Sequence, residues 1–253
     1  MAPVTVGVSL KMYFGHRTAR AWLADVADIA ATTPAVADGT VELFVAPTYL
    51  QLLPALEAVA GTRVLVAAQD AAEHDTGAYT GEVSPAELAE VGVPLVELGH
   101  AERRRMYGEA DAVVARKTAA ALRNGLVPVL CVGEPDHVTA ADALAFATAQ
   151  VLSAVADAPA GRIIVAYEPV WAIGAAEPAP ADHIRVVTAG LRELLAGLAD
   201  RPGSGVIYGG SAGPGLLTDL GDDVDGIFLG RFAHDPAALT DVLAEATSLA
   251  ARR

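Results

Sequence analysis

The sequence predicts an α/β chain closed into a single (β/α)8 barrel, and three observations predict it. Eight short apolar runs recur along the 253 residues, at a mean spacing of about 32, the length of one βα unit. The runs are apolar nearly throughout rather than alternating, as in parallel strands buried on both faces. Longer Ala- and Leu-rich stretches with helical spacing lie between them. No linker, charge block or low-complexity stretch divides the chain, so residues 1–253 read as one domain. A doubly wound open sheet is the competing architecture. It typically has about five to seven strands and a glycine fingerprint after the first, whereas the first run here ends in Ser9-Leu10-Lys11.

The elements follow in order. VTVGVSL from Val4 is the first strand, and Trp22, Val26 and Ile29 after it fall at i, i+4, i+7 on one helix face. VELFVA from Val41 and RVLVAA from Arg63 are the second and third strands. Ser84-Pro85-Ala86-Glu87 reads as a capping box with proline at the first helical position, ahead of PLVEL from Pro94. Asn124-Gly125 stops a helix just before LVPVLCV from Leu126. RIIVAY from Arg162, GVIYG from Gly205 and GIFLG from Gly226 complete the set, and Asp235-Pro236 starts a last helix.

Composition excludes several classes of function. With 53% hydrophobic and 19% charged residues the chain is not disordered. A formal net charge of −14 argues against nonspecific nucleic-acid binding, which needs clustered Lys and Arg. No apolar run approaches the ~20 residues of a membrane span. The single Cys131 leaves no intramolecular disulfide and fits a reducing compartment. The start, MAPVTVGVSLK, carries neither a basic leader nor a cleavable apolar segment, so a cytoplasmic protein is expected. An anionic substrate would have to be met by local cations or backbone N–H groups.

In such a barrel the active site is built where strands end. Those positions hold Ser9 and Lys11 after the first strand, and Gln69-Asp70 after the third. His100, Glu102, Arg103 and Arg104 follow the fourth, and Glu168 the sixth. Gly209-Gly210-Ser211 follow the seventh, and Gly230-Arg231 the eighth. A lysine, a histidine and a carboxylate thus share one mouth with two segments able to offer backbone N–H groups. An enzyme that enolises a phosphorylated sugar needs this set.

The segments carrying those residues also resemble triosephosphate isomerase. They are KMY at Lys11, GAYTGEVS at Gly77, VELGHAERR at Val96, CVGE at Cys131, AYEPVWAIG at Ala166, YGGS at Tyr208 and DGIFLGR at Asp225. They are collinear and span nearly the whole chain; AYEPVWAIG and ELGH-x-ERR are the specific ones. The resemblance implies a homodimeric aldose–ketose isomerase that uses no metal and no cofactor and acts on a small phosphorylated sugar. Its acid–base pairing and gating loop are taken over from the family. On this reading Glu168 is the general base, His100 the electrophile that moves protons between the substrate oxygens, and Lys11 the stabiliser of the enediolate. Glu102 is the salt-bridge partner of Lys11. Residues 169–176 are the lid, with Gly174 giving a backbone N–H and Tyr208 and Ser211 acting as its latch. Gly210, Ser211, Gly230 and the backbone of Arg231 form the phosphate cradle. Thr80 lies in a segment that inserts into the partner subunit near Lys11, and Gln69 lines the receiving pocket. Cys131 reads as packing.

Departures from the family pattern cluster at the substrate. Ser9 and Leu10 stand where Asn and Trp are usual, Tyr13 where Asn is usual, and Ala101 where Ser follows the histidine. The lid has Gly174-Ala175-Ala176-Glu177 for Gly-Thr-Gly-Lys, and Gly230-Arg231 replaces Gly-Gly. Arg231 adds bulk and a five-donor cation, and Ser9 makes room near the reacting carbons. A Gly-Arg at this place resembles the branch that isomerises L-erythrulose 1-phosphate to D-erythrose 4-phosphate in tetritol breakdown, so a four-carbon substrate is expected. Three rivals are the glycolytic triose enzyme itself, a catalytically idle phosphosugar-binding protein, and a metal-dependent epimerase barrel. The complete Lys/His/Glu set argues against the idle protein. An epimerase would want His and Asp ligands on several strands, which this mouth does not supply.

Overall fold

A computed structural model, describing residues 2–253, closes eight parallel strands into a barrel in sequence order, with β1 pairing both β2 and β8. The strands are β1 (Val4–Ser9), β2 (Val41–Ala46), β3 (Leu65–Ala68), β4 (Leu95–Leu98), β5 (Val127–Val132), β6 (Ile164–Tyr167), β7 (Gly205–Tyr208) and β8 (Gly226–Leu229). Each lies within the apolar run expected to form it. The surrounding helices are α1 (His16–Thr32), α2 (Pro34–Asp38), α3 (Leu52–Ala58), α4 (Pro85–Glu90), α5 (Ala101–Tyr107), α6 (Asp111–Arg123), α7 (Ala140–Val155), α8 (Ala181–Gly197), α9 (Leu216–Leu220) and α10 (Pro236–Ala250). Among the described residues no helix is long and apolar enough to cross a membrane.

Burial on both faces of each strand separates two cores. Val6 and Val8 face outward into the layer shared with Trp22, Leu23 and Val26 of α1. Phe44, Leu95, Val129, Ile164, Ala166, Ile207 and Phe228 fill the barrel interior. Gly7 points inward too; a Cβ there would come within 2.2 Å of the Phe44 ring, which packs against Phe228 at 5.5 Å. Side chains alternate along a strand, so inward positions recur every second residue and the last of them reaches the mouth. This parity takes Gly7 to Ser9, Leu95 to Glu97, Ala166 to Glu168 and Phe228 to Gly230.

The helix signals also hold. The Ser84 hydroxyl accepts from the N–H groups of Ala86 and Glu87 at the start of α4. Asn124 caps α6 and Gly125 follows at φ +76°. The Asp235 carboxylate accepts from the Ala237 N–H at the start of α10. The caps at Ser84 and Asp235 each satisfy a donor that the helix's first turn leaves open, a contribution of about 1 kcal/mol.

Candidate active site

At the C-terminal ends of the strands a cleft of about 720 Å³ is lined by Ser9, Lys11, His100, Glu102 and Glu168. Gly174, Ser211, Gly230 and Arg231 line it too, together with Tyr13, Arg105 and Phe232.

Lys11 is held in place at both ends. Its backbone sits at φ +46°, a left-handed conformation costly for a side-chain-bearing residue and concentrated at functional sites. The Gln69 amide donates to the Lys11 carbonyl at 2.9 Å and to that of Ala46 at 2.8 Å, clamping the turn. At the other end the Lys11 ammonium donates to Glu102 Oε1 at 2.7 Å. Burial alone would lower the lysine, but the Glu102 bond and the nearby carboxylates hold it above its ordinary value, so it stays a cation.

His100 leaves β4 through Gly99, whose φ of +72° turns the chain, and becomes the N-cap of α5. Its Nδ1 accepts from the Glu102 N–H at 3.1 Å, so the ring proton resides on Nε2. Burial, reinforced by Lys11, lowers this histidine to about 4. The ring is therefore a neutral Nε2–H donor at physiological pH.

Glu168 is buried, with Oε2 at 3.6 Å from His100 Nε2 and without a hydrogen-bond partner. Burial, with Glu97 adding to it, raises the acid to about 8. A Cβ on Gly209 would lie 2.5 Å from Glu168 Oε1, so glycine there leaves the carboxylate its place. Cys131 is buried in β5 with its thiol against Glu168, and burial pushes that thiol well up, so it is inert.

Glu97 was not singled out in the sequence. It is buried, receives the Ser9 hydroxyl at 3.1 Å and lies 4.0 Å from His100 Nε2. Burial raises it to about 7. The available signal was its inward parity in β4, two residues past Leu95.

The lid segment is tied at both ends. The Val170 N–H donates to the Glu134 carbonyl at 3.0 Å, and the Trp171 indole donates to the Glu134 carboxylate at 2.8 Å. At the far end Ser211 donates to the Ala175 carbonyl at 2.6 Å, and the Tyr208 hydroxyl accepts from the Ala179 N–H at 3.0 Å. Gly174 takes φ +73° at the crest, and Ser211 φ +49°. A short 3-10 turn begins at Arg231, leaving backbone donors at its N-terminus facing the cleft. The Arg231 guanidinium lies over the Tyr13 ring at 6.0 Å.

Four of the expected residues stand outside the cleft lining. Gly210 is buried beside Tyr208, where a Cβ would meet the phenol oxygen at 2.6 Å. Tyr208 and Gln69 act on the backbone of the lid and of Lys11. Thr80 is exposed in the loop between β3 and α4. Among the described residues no group of three or more His, Cys, Asp or Glu is arranged to hold a metal.

Residues 4–246 match the family described as triosephosphate isomerase. The chain belongs to the triosephosphate isomerase family. It is therefore an isomerase by kinship, of a family that interconverts aldose and ketose phosphates. It is 47% identical over 253 residues to an L-erythrulose-1-phosphate isomerase of Pectobacterium atrosepticum, covering 98% of each chain. A like-named protein of Rhizobium etli is 37% identical over 97% of this chain and 93% of its own. A triosephosphate isomerase of Mycobacteroides abscessus is 39% identical over 89% of each.

Proposed function

We propose that the chain isomerises a four-carbon ketose phosphate, L-erythrulose 1-phosphate, through an enediolate. The observation that carries the chemistry is the convergence of a carboxyl poised to ionise, a neutral imidazole N–H and a lysine cation on one cleft. Glu168 removes a proton from the carbon beside the carbonyl. The Nε2–H of His100 polarises the carbonyl oxygen, and Lys11, fixed by Glu102, offsets the developing negative charge. His100 moves the proton between the two oxygens, and Glu168 returns its proton to the neighbouring carbon. Gly174, Ser211, Gly230 and Arg231 hold the phosphate with backbone N–H groups and one guanidinium. The lid, latched through Tyr208 and Ser211, keeps water from an intermediate that would otherwise expel phosphate.

Carbon counting defines the step. In a triose phosphate the enediolate joins C1 and C2 and links ketose with aldose. In L-erythrulose 1-phosphate the phosphate carbon already adjoins the carbonyl, so the same machinery joins C2 and C3 and yields erythrulose 4-phosphate. Reaching D-erythrose 4-phosphate takes a second proton transfer, between C1 and C2 of that product. The extra hydroxymethyl group then lies at the reacting end, beside Ser9, and Arg231 lies at the phosphate end. The 47% relative and these two residues support the four-carbon substrate.

The test is a panel of three- to five-carbon ketose and aldose phosphates, repeated on Ser9→Asn and Arg231→Gly. A tetrulose phosphate should be preferred, with preference moving toward dihydroxyacetone phosphate in the variants. Comparable kcat/KM for the two in the unaltered enzyme would instead favour the triose isomerase of glycolysis, the second reading.

The site also favours a homodimer. Large apolar side chains are exposed on the segments following neighbouring strands: Met12 after β1, Leu50 after β2, Tyr79 after β3 and Tyr107 at the end of α5 after β4, with Met12 88% exposed. A face of this kind marks an interface, and Thr80, exposed in the loop after β3, is the residue that would enter the partner subunit on this reading. The lone, reduced Cys131 fits a cytoplasmic setting.

A further inference from the structure

The base of the lid contains a buried hydrogen-bonded cluster that the reaction itself does not use. Glu134 is 1% exposed. Its carboxylate receives the Trp171 indole at 2.8 Å and has the Tyr167 hydroxyl 3.2 Å from each oxygen. Behind the phenol stands His183 in the first turn of α8, with Nε2 at 3.0 Å from the Tyr167 oxygen and 3.5 Å from Glu134 Oε1. Two further rings close the group: Trp171 meets His183 edge-on at 5.7 Å, and His137 covers the indole at 4.4 Å.

The phenol has one proton and two neighbours that can take it. A carboxylate accepts only, whereas the imidazole nitrogen can either donate or accept. If Nε2 lacks its hydrogen it competes with Glu134 for the phenol proton. If Nε2 carries the hydrogen every group is satisfied, with Nε2–H donating to the phenol oxygen and the phenol donating to Glu134. Buried polar groups are nearly always satisfied, which selects the second arrangement.

We propose that His183 is a positioning residue of the lid: its Nε2–H directs the Tyr167 proton onto Glu134 and so keeps saturated the carboxylate that holds Trp171. The inference rests on the reading of residues 169–176 as the lid. His183 touches no substrate. It acts through Tyr167 and Glu134 on the lid's first turn, where Val170 is bonded to the same Glu134.

The test compares His183→Gln, whose amide nitrogen can stand in for Nε2, with His183→Leu, which fills the space without a donor. Trp22 is buried, so acrylamide quenching of tryptophan fluorescence, measured without substrate, reads Trp171. The second readout is the share of turnovers that release inorganic phosphate, with whichever of dihydroxyacetone phosphate and a tetrulose phosphate the enzyme accepts. His183→Leu should raise quenching and increase phosphate release about tenfold, the scale of one buried hydrogen bond, with its far-UV circular dichroism unchanged. His183→Gln should behave as the unaltered enzyme in both. In a Tyr167→Phe background His183→Leu should add nothing, since the chain of hydrogen bonds is already cut. Equal impairment by Gln and Leu would mean that ring volume is what matters and would overturn the proposal, as would an unaffected Leu variant or additive effects. An enzyme inactive on both phosphates would refute the proposed substrates and leave the quenching comparison to judge His183.

Discussion

Glu168→Gln separates what the buried base does for catalysis from what it does to the fold. The acid ordinarily ionises near 4.5 and is raised to about 8 here, chiefly by burial. In such a case stability is fully present below about pH 4.5, where folded and unfolded chains are both protonated, and is lost as pH rises toward 8. At 1.36 kcal/mol per tenfold change, the ionisable group lowers stability by on the order of 4 kcal/mol at pH 8 and about 1 kcal/mol at pH 5. The neutral amide, similar in shape, removes that dependence. Equilibrium urea unfolding should therefore find the variant more stable than the unaltered protein at pH 8, with the gap narrowing to about 1 kcal/mol at pH 5. In a thermal scan at pH 8 the gain corresponds to roughly 8–16 °C. The same variant should lose about 10²–10⁴ in kcat. A stability difference equal at both pH values, or a variant destabilised at pH 8, would sink the argument that burial strains this carboxylate, whatever the loss of turnover.

Other expectations follow from the same geometry. The kcat/KM of the isomerisation, corrected for ionisation of the substrate phosphate, should climb with pH to a midpoint near 8 as Glu168 becomes a base; a midpoint near 4.5 would contradict the raised acid. His100, lowered to about 4, should add no second inflection between pH 5 and 8. Lys117→Met should cost about 3–5 kcal/mol, because Lys117 bridges buried Asp70 and Glu109 at 2.8 and 2.6 Å and its loss leaves Arg103 alone to hold them; a urea midpoint within about 1 kcal/mol of the parent would show that the cluster relaxes. Met12→Asp should convert the proposed homodimer to monomer in light scattering, and an unchanged dimer mass would place the interface elsewhere.

The eight strands were legible because burial on both faces writes a near-continuous apolar run, and local capping residues marked the helix ends at Ser84, Gly125 and Asp235. Lys11, His100 and Glu168 were legible because they are polar at the exits of apolar runs. Glu97 was not, because a lone carboxylate inside a short strand looks the same whether it faces solvent or the barrel. Its burial depends on register and on Ser9, 88 residues away. The cluster of Tyr167, Glu134 and His183 was hidden for the same reason. Its members come from three separate segments, and the pairing of β5 with β6 together with the start of α8 brings them within 3.5 Å. Gly210 was expected in the phosphate cradle from the resemblance; what the sequence did not show is that its missing side chain also admits Tyr208.

The pairing of β1 with β8 has a consequence for how the molecule comes to life. Lys11 arrives on the first strand, His100 after the fourth and Glu168 after the sixth, so neither half of the chain holds all three. A half-barrel ending after α6 would carry the cation and the imidazole but no base, and its sheet would have two open edges. Turnover can begin only once the ring is sewn shut between Thr5–Val8 and Gly226–Leu229. Recovery of activity during refolding therefore times ring closure, the longest-range event in the chain.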